Sequence, residues 1–285
     1  MFYCTFKETG PATYYTDGKQ FQDAINALQA SGGGDCPELA INGILNGMAE
    51  GPKLGSPLYV LTDASAKDAT TDNIREVLSF ANSQGITINF LTTGSCNDDG
   101  SPYAPFEKIA SETCGQILQL SSSRELRELS SITGVTLGGT TCLSTGNSGS
   151  SNGKKKRSLR ESSFSYSIPV DDSTEKIIIS VSTENENPSI NLTDPTGASV
   201  GSGKVSLLKG AIYEINNPRP GTWELIVGSR AGKHNYLIKG SSETNVDFEY
   251  FFVMIPTRGI SRKPIPISHP LLGEYNYLLR ITVPS

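Results

Sequence analysis

Apolar residues recur at helical spacing near the start of the chain and then give way to continuous apolar runs. Phe21, Ile25 and Leu28 lie three and four residues apart, which predicts one apolar face of a helix. The string CPELAINGILNGMAEG repeats this pattern. The strings SPLYVLTD and ITINFLTTG are short and almost wholly apolar in their centres, as expected for strands that are buried on both faces.

Helical and strand patterns continue to alternate as far as residue 133. The predicted helices are TTDNIREVLSFANSQG, PYAPFEKIASETCG and SSRELRELSSITG, and a short strand, QILQL, lies between the last two. Strands that are separated by helices of this length need parallel crossover connections. Residues 1–133 are therefore predicted to form an α/β domain with a doubly wound parallel sheet.

The alternation stops where the composition changes. Residues 134–162 are rich in Gly, Ser, Thr and Asn and then become strongly basic. A segment of this composition has too little apolar surface to order itself. We therefore expect residues 134–162 to be a flexible linker.

The rest of the chain is predicted to be all-β. Between residues 163 and 247, short runs such as EKIIISVST and TWELIVG are separated by the turn signals DPTG and PRPG, which indicates an antiparallel β-sandwich. We expect Trp223 to lie in its core. Residues 248–285 hold FEYFFVMIP and YNYLLRITVP, which predict the start of a further β domain.

Charge and composition exclude several classes of function. The 285 residues carry a formal net charge of -5, and an acidic chain is a poor nucleic-acid binder. No run reaches the roughly 18 apolar residues of a membrane span. The first residues lack the basic and apolar regions of a signal peptide. The two histidines are His234 and His269, so histidine-dependent catalysis in the first half is not expected, and the chain is predicted not to be an enzyme.

The string SGGGDCPE at residues 31–38 could suggest a phosphate loop, but its context does not fit one. A phosphate loop needs a Lys and follows a strand, whereas these glycines follow a predicted helix and no Lys is present. A dinucleotide-binding loop also lies between a strand and a helix. Nucleotide binding is therefore not expected.

Several strings together resemble a known family. SGGGDCPELAI followed by YVLTDASAKD resembles a von Willebrand factor A domain. Within that family the sequence is most similar to hemicentin-type extracellular matrix proteins. The later strings FLTTGSCNDD, FEKIASETCGQILQL, PGTWEL and GISRKP extend this resemblance over nearly the whole chain. The resemblance implies a secreted protein of the extracellular matrix, a doubly wound A-type sheet and protein partners in the matrix or on cell surfaces.

The resemblance also implies a divalent cation, Mg²⁺ or Ca²⁺, at the carboxyl ends of the strands. Asp63 matches the ligand after the family's fourth strand, and Asp35 stands near the position of a Thr ligand. The DxSxS motif of the family is absent. FYCTF resembles the family's second strand and GPATYYT its third, so we expect the first strand, the first helix and a signal peptide to be encoded upstream of Met1. For this chain we expect an incomplete site without a tightly bound cation.

Each candidate residue also has a structural interpretation. Asp63 could cap the turn that follows its strand, and Asp35 could cap the helix that begins near Pro37. The cysteines could be buried free thiols. In a secreted chain disulfides are favoured, and Cys36 and Cys96, which we expect at the same end of the sheet, are the pair we predict.

Two further strings are candidates for modification. Asn191 begins an N-glycosylation sequon, Asn-Leu-Thr, on a predicted β segment. Residues 154–157, Lys-Lys-Lys-Arg, are a solvated charge run, a proprotein site cleaved after Arg157, or a nuclear-targeting signal.

The sequence thus predicts a piece of an extracellular matrix or cell-adhesion protein, whose intact A domain binds protein partners through a divalent cation. The first alternative is a structural spacer that has lost its cation site. The second is another secreted A-domain protein, such as a channel-associated hydrolase, although the HExxH string expected of that class is absent.

Overall fold

The computed structural model describes most of the α/β region and the sandwich. The described residues are 13–27, 36–93, 103–120, 125, 140–148, 154–157 and 162–242, together with four short strands between residues 247 and 282. The chain divides into two compact units, Met1–Ser241 and Ser242–Ser285, and each is described here by itself.

The first part of the chain alternates helices and strands, as predicted. Its elements are α1 (Gly18–Asn26), α2 (Ala40–Ala49), β1 (Pro57–Thr62), α3 (Thr71–Gln84), β2 (Thr87–Thr92), α4 (Ala104–Glu112) and β3 (Ile117–Gln119). The three strands form a parallel sheet in the order β1-β2-β3. This confirms the predicted α/β parallel-sheet class.

Local sequence explains where these helices begin and end. The Thr70 side chain accepts a hydrogen bond from Asn73 N–H and caps α3, and Gly85 ends the helix with a positive φ of 63° that favours glycine. Gly115 follows α4, where any Cβ would collide with the carbonyl of Ile88 on β2. Both turns bring helix and sheet together around Phe90 and Phe106, whose ring centroids are 4.6 Å apart.

Some predicted elements differ from the structure or lie outside the described residues. Helix α2 begins at Ala40 and not at Pro37. The described part of GPATYYT, residues 13–16, forms no strand, because the chain there leads directly to Asp17, which caps α1. Four predicted features lie outside the described residues. They are residues 1–12, most of the helix predicted in SSRELRELSSITG, and the side chains of Asp35 and Cys96.

The second part of the chain is a sandwich of two antiparallel sheets, as predicted. Its strands are β4 (Thr141–Asn147), β5 (Lys154–Arg157), β6 (Ser162–Val170), β7 (Thr174–Thr183), β8 (Ile190–Thr193), β9 (Lys204–Leu207), β10 (Gly210–Asn216), β11 (Gly221–Gly228) and β12 (His234–Ser242). One sheet has five strands in the order β4-β12-β7-β10-β9, and the other has four in the order β5-β6-β11-β8.

A single apolar cluster fills the space between the two sheets. Tyr166, Leu192 and Leu225 come from the four-stranded sheet, and Ile179 and Tyr213 come from the five-stranded sheet. Trp223 belongs to the same cluster and is 3% exposed. Its indole Nε1 donates a hydrogen bond to the Arg219 carbonyl at 2.9 Å, so the predicted core position of Trp223 is confirmed.

The predicted linker is wrong over two stretches, because β4 and β5 lie within residues 134–162. Strand β4 pairs with β12 at one edge of the five-stranded sheet, and β5 pairs with β6 at one edge of the four-stranded sheet. Edge strands tolerate polar and basic residues, because one of their sides does not enter the sheet. The backbone pairing therefore orders residues that could not form a core of their own.

The α/β part packs against the outer face of the five-stranded sheet. One buried apolar cluster lies between them. The α/β part contributes Leu91, Leu118 and Leu120, and the sandwich contributes three residues. These sandwich residues are Ile178, Leu207 and Ile212. We call these six residues the interdomain cluster. A disulfide between Cys114 and Cys142 joins the turn after α4 to β4 beside it.

The second unit contains short antiparallel pairs, in agreement with the β structure expected for residues 248–285. Strand β13 (Asp247–Tyr250) pairs with β16 (Leu279–Thr282), and β14 (Phe252–Met254) pairs with β15 (Ile265–Ile267).

Candidate functional site

The carboxyl ends of β1 and β2 lie side by side and position the predicted site. Thr62 and Thr92, the last residues of the two strands, are directly paired in the parallel register. Asp63 follows β1 at once and is exposed to solvent. Burial raises the pKa of the hydroxyl of Tyr103, the residue before α4, and the nearby negative charge of Asp63 adds to this rise. Asp63 therefore lies at the rim of a surface formed by the ends of two strands and one helix.

The loop before α2 is held against the loop after β1. Glu38 N–H donates to the Ser65 carbonyl at 2.8 Å, and Lys67 N–H donates to the Glu38 carbonyl at 2.8 Å. These bonds make a short parallel bridge between Glu38 and Ala66. The segment that follows Asp35 is therefore close to the segment that follows Asp63, as the predicted site requires, while the position of Asp35 itself stays a prediction.

Asp68 performs the capping role that we considered for Asp35. Its two carboxylate oxygens accept hydrogen bonds from the N–H groups of Ile41 and Asn42, at 3.1 and 2.7 Å. The residue before α2, Leu39, has no side chain that could cap the helix. Sequence reasoning missed Asp68, because it lies 27 residues after Ile41 and no local pattern links the two.

Three buried oxygens at this end of the sheet make no hydrogen bond with the described residues. They are Glu38 Oε1, Thr92 Oγ1 and Tyr103 OH. Burial is the main cause that raises the pKa of Tyr103, and the Thr92 hydroxyl is near enough to oppose this shift although the two groups lack hydrogen-bond geometry. Buried polar groups in native proteins usually have a partner. Ordered water or a small ion inside the structure would be expected to supply these bonds.

The described residues supply only part of a cation shell. Among them, no three His, Cys, Asp or Glu side chains are grouped so that they could hold a metal ion. Asp63 is exposed and could offer its carboxylate, whereas both oxygens of Asp68 are already used by α2. The cation site predicted from Asp63 and Asp35 is therefore incomplete in the part of the chain that the structure describes.

The three cysteines in the described part of the chain form disulfides, one of them unexpected. Cys114 and Cys142 are bonded to each other. Cys36 is also disulfide-bonded, and because Cys114 and Cys142 are already paired, its partner must lie outside the described residues. The predicted pairing of Cys36 with Cys96 stays a prediction. The Cys114–Cys142 bond was missed because Cys142 falls in the predicted linker.

Comparison with known proteins identifies the family. A family model of the von Willebrand factor A domain matches residues 5–122. Over 280 residues, which are 95% of this chain, the sequence is 30% identical to hemicentin-1 from Homo sapiens. The chain is a von Willebrand factor A protein that resembles hemicentin. The resemblance predicted from the short strings is thereby confirmed.

The other comparisons extend this result to the sandwich. A family model described as hemicentin galactose-binding domain-like matches residues 153–243. The chain is 25% identical to von Willebrand factor A domain-containing protein 7 from Mus musculus over 291 residues, which cover 95% of this chain and 30% of that protein. The chain spans only 5% of hemicentin-1.

None of the helices that the structure describes is long and apolar enough to cross a membrane.

A solved von Willebrand factor type A structure from Catenulispora acidiphila is also similar. It covers 81% of this chain and 44% of its own, with 10% sequence identity and a TM-score of 0.32. This degree of similarity supports no inference about the site.

The two candidate modification sites both lie on the four-stranded sheet of the sandwich. Asn191 is on edge strand β8 and is half-buried, and its Oδ1 accepts a hydrogen bond from Ser199 Oγ at 2.6 Å. Arg157 ends β5, and all four residues Lys154–Arg157 are paired with β6. A protease must bind an extended backbone in its own groove, so this pairing opposes cleavage after Arg157. Glycosylation and cleavage stay predictions.

Proposed function

We propose that the chain is part of an extracellular matrix or cell-adhesion protein, and that it binds protein partners and does not catalyse a reaction. Its resemblance to hemicentin supports this proposal. The disulfides at Cys36 and at Cys114–Cys142 support it independently, because disulfides persist mainly in secreted and cell-surface proteins. The sequence places neither of its two histidines in the A domain, which is consistent with a binding role.

We place the binding surface at the carboxyl ends of β1 and β2. The observation that carries this choice is the set of buried oxygens of Glu38, Thr92 and Tyr103, which lack hydrogen bonds within the described residues. The exposed carboxylate of Asp63 lies at the same end of the sheet. A partner that brings a positive charge to this surface would pair with Asp63, and ordered water would link the partner to the buried oxygens.

A divalent cation such as Mg²⁺ or Ca²⁺ would supply a positive charge that a partner carboxylate could share. Asp63 is the described residue that could donate an oxygen to it, and Asp35 is a second candidate outside the described residues. Because the described residues do not complete a coordination shell, the contact that we propose is made by the exposed carboxylate of Asp63.

The proposal is tested by binding of the purified chain to a surface coated with basement-membrane extract. We expect Asp63→Ala to weaken binding about tenfold, which corresponds to about 1.4 kcal/mol. Asp72→Ala is the matched control, because Asp72 is an exposed aspartate in the first turn of α3 in the same domain. Equal binding by the Asp63 variant and the control would contradict the proposed surface.

The incomplete cation shell favours a second candidate function, a structural spacer that has lost its cation site. In that case neither EDTA nor Asp63→Ala would change binding to the coated surface. Calorimetric titration of the chain with Mg²⁺ and with Ca²⁺ separates the two. Heat of binding that Asp63→Ala removes supports a cation at the A domain, and its absence together with unchanged adhesion supports the spacer.

A further inference from the structure

The Cys114–Cys142 disulfide lies beside a buried lysine that has no counter-charge. Cys142 on β4 pairs directly with Lys239 on β12. Lys239 is 8% exposed, and its ammonium makes no hydrogen bond or ion pair with the part of the chain that the structure describes. We propose that Cys114–Cys142 is a redox-active disulfide, which dithiol reductants cleave by attack on Cys114 while Lys239 stabilises the thiolate that leaves at Cys142.

The strand register places the lysine and the disulfide on the same face of the sheet. Directly paired residues on neighbouring strands share a face, and their Cβ atoms are about 4.5–5.5 Å apart. The side chain of Cys142 points towards the α/β part, because its Sγ is bonded to Cys114 in the turn after α4. Lys239 therefore extends into the same junction between the two regions, which agrees with its burial.

The unpaired ammonium favours the reduced state of the disulfide. Burial lowers the pKa of Lys239, because the charged form is penalised and no acidic group among the described residues offsets this cost. A disulfide carries no charge that could do so. A thiolate at Cys142 would supply the missing negative charge, since opposite charges within about 4–6 Å favour each other's ionised form. A disulfide whose reduced form is stabilised in this way is more easily reduced.

The two sulfurs differ as leaving groups. In thiol–disulfide exchange the thiol with the lower pKa leaves faster, and Cys142 has the ammonium of Lys239 beside it. Cys114 lies two residues after Glu112, the last residue of α4, where the negative end of the helix dipole disfavours a thiolate. Cys142 is therefore the leaving group, and Cys114 is the sulfur that is attacked. Both cysteines are half-buried, so the bond is not sealed inside the core.

The backbone at Cys114 supports a specific role for its sulfur. Cys114 has a positive φ of 57°, in the left-handed region, directly after the C-cap of α4. Glycine is the usual residue at this position, because it has no Cβ to make that conformation unfavourable. A cysteine fits the backbone there less well than glycine would, and what it adds is a sulfur that reaches β4.

The exchange takes two steps and transfers two electrons. A thiolate of the reductant attacks Cys114 Sγ, the bond to Cys142 breaks, and its electron pair leaves on Cys142 Sγ next to Lys239. The second thiol of the reductant then loses its proton and attacks the reductant sulfur of the mixed disulfide. Cys114 leaves as a thiolate and takes up that proton. The dithiol is thereby oxidised to a disulfide, and the covalent link between the α/β part and the sandwich is removed.

The test is equilibration of the whole chain in mixtures of reduced and oxidised dithiothreitol, followed by alkylation of free thiols and mass spectrometry of the digested peptides. Lys239→Met keeps a similar volume without the charge. We expect this variant to need an about tenfold higher ratio of reduced to oxidised dithiothreitol for half-reduction of Cys114–Cys142, which corresponds to about 30 mV. Lys239→Arg keeps the charge and should be reduced like the wild type.

The matched control is Lys176→Met. Lys176 lies in the same sheet, but its ammonium is paired with Glu214 at 2.9 Å and its strand, β7, is not a neighbour of β4. This variant should be reduced like the wild type. Equal reduction of Lys239→Met and the wild type would overturn the proposal.

Brief treatment of the wild-type chain with glutathione, followed by acid quenching, identifies the attacked sulfur. We expect the glutathione adduct mainly on Cys114, and an adduct mainly on Cys142 would overturn the proposal. Resistance of the bond to both reagents until the chain unfolds would show a purely structural disulfide and would also overturn it. Misfolding of Lys239→Met would make the disulfide easier to reduce, which is opposite to the expected result, and the wild-type adduct would then decide.

The inference does not rest on the proposed binding surface of the A domain. Asp63→Ala should leave the reduction of Cys114–Cys142 unchanged, and Lys239→Met should leave binding of the oxidised chain to the coated surface unchanged. Failure of one proposal is thus distinguishable from failure of the other.

Discussion

The parallel sheet of the A domain and the sandwich differ in how their strands are covered. In β1 no residue is fully buried, and Leu61 is 47% exposed. In β7 seven successive residues, 177–183, are buried. Strand β7 pairs with a strand on each side, β12 and β10. One of its faces contacts the sandwich core, and the other contacts the interdomain cluster. Strand β1 has one neighbour, β2, among the described residues.

This difference suggests that the sandwich carries most of the stability of the first unit. Its core closes between two sheets, whereas the described A-domain sheet is covered less completely at β1. The interdomain cluster and the Cys114–Cys142 disulfide then tie the parallel sheet to the better-packed sandwich. We expect changes in the sandwich to be costly, changes in β1 to be mild, and changes at the junction to uncouple the two regions.

The largest expected effect comes from emptying the sandwich core. Leu225→Ala should lower the free energy of unfolding by about 2–5 kcal/mol, because Leu225 is fully buried and its loss leaves a cavity. Leu61→Ala, the same change on exposed β1, should cost less than about 0.5 kcal/mol. Urea unfolding followed by far-UV circular dichroism measures both, and the fluorescence of Trp223, the single tryptophan, follows the sandwich. Equal costs at the two leucines would contradict the comparison.

The next largest effect is expected from removing the disulfide that joins the two regions. Cys114→Ser/Cys142→Ser removes a disulfide that spans 28 residues and should cost about 3 kcal/mol. Because the A domain then loses this covalent link to the sandwich, we expect circular dichroism to show its loss before the Trp223 fluorescence changes. If the two signals still change together at the wild-type urea concentration, the disulfide does not couple the regions.

The strands that the sequence predicted correctly are those with an unmistakable apolar signal. The runs ending at Thr62 and Thr92 became β1 and β2, because a short continuous apolar run between turn signals indicates a strand without help from distant residues. The burial expected on both faces holds for β2 but was wrong for β1, in which no residue is fully buried. Strands β4 and β5 were missed for the converse reason. Their residues are mostly polar or basic, and pairing with the neighbouring strands β12 and β6 makes them part of a sheet.

The candidate site shows a similar limit. Asp63 could be located from its own strand, because a residue that follows a parallel strand lies at the carboxyl edge of the sheet. Asp68 could not be assigned, because its role depends on the loop at Glu38 folding back onto residues 65–67. Buried oxygens without partners, such as Tyr103 OH, appear only when the packing of several elements is known.

Substitution of Asp68 should have a smaller effect on stability, and this effect should be confined to the A domain. Asp68→Ala removes both hydrogen bonds to the start of α2 and should lower the free energy of unfolding by about 1–2 kcal/mol. Asp72→Ala is the control, since Asp72 makes only an exposed ion pair with Arg75 and should cost about 0.5 kcal/mol or less. The loss should be seen by circular dichroism in urea. Equal destabilisation by both variants would contradict the capping role of Asp68.

The smallest effect distinguishes the two regions by pH, because the sandwich buries a histidine and the A domain contains none. His234 Nδ1 lies 3.3 Å from the Gly232 carbonyl, which can only accept, so the proton is assigned to Nδ1 and Nε2 accepts from the Tyr166 hydroxyl at 2.6 Å. Burial lowers the pKa of His234, and the Gly232 carbonyl opposes this only in part. Burial raises the pKa of Tyr166 to about 12, so Tyr166 stays neutral in this range.

The sign of the pH effect follows from proton binding. The unfolded histidine, with a pKa of about 6.5, binds a proton before the folded one does. The contribution of His234 to stability is therefore complete above that pH and is lost as the pH drops towards the folded pKa. We expect the Trp223 transition to move to lower urea between about pH 7 and pH 5.5. His234→Asn should be less stable at pH 7 and should flatten this dependence, since Asn does not titrate. A dependence that is equally steep in the variant would show that other groups cause it, and that the buried histidine does not separate the sandwich from the A domain.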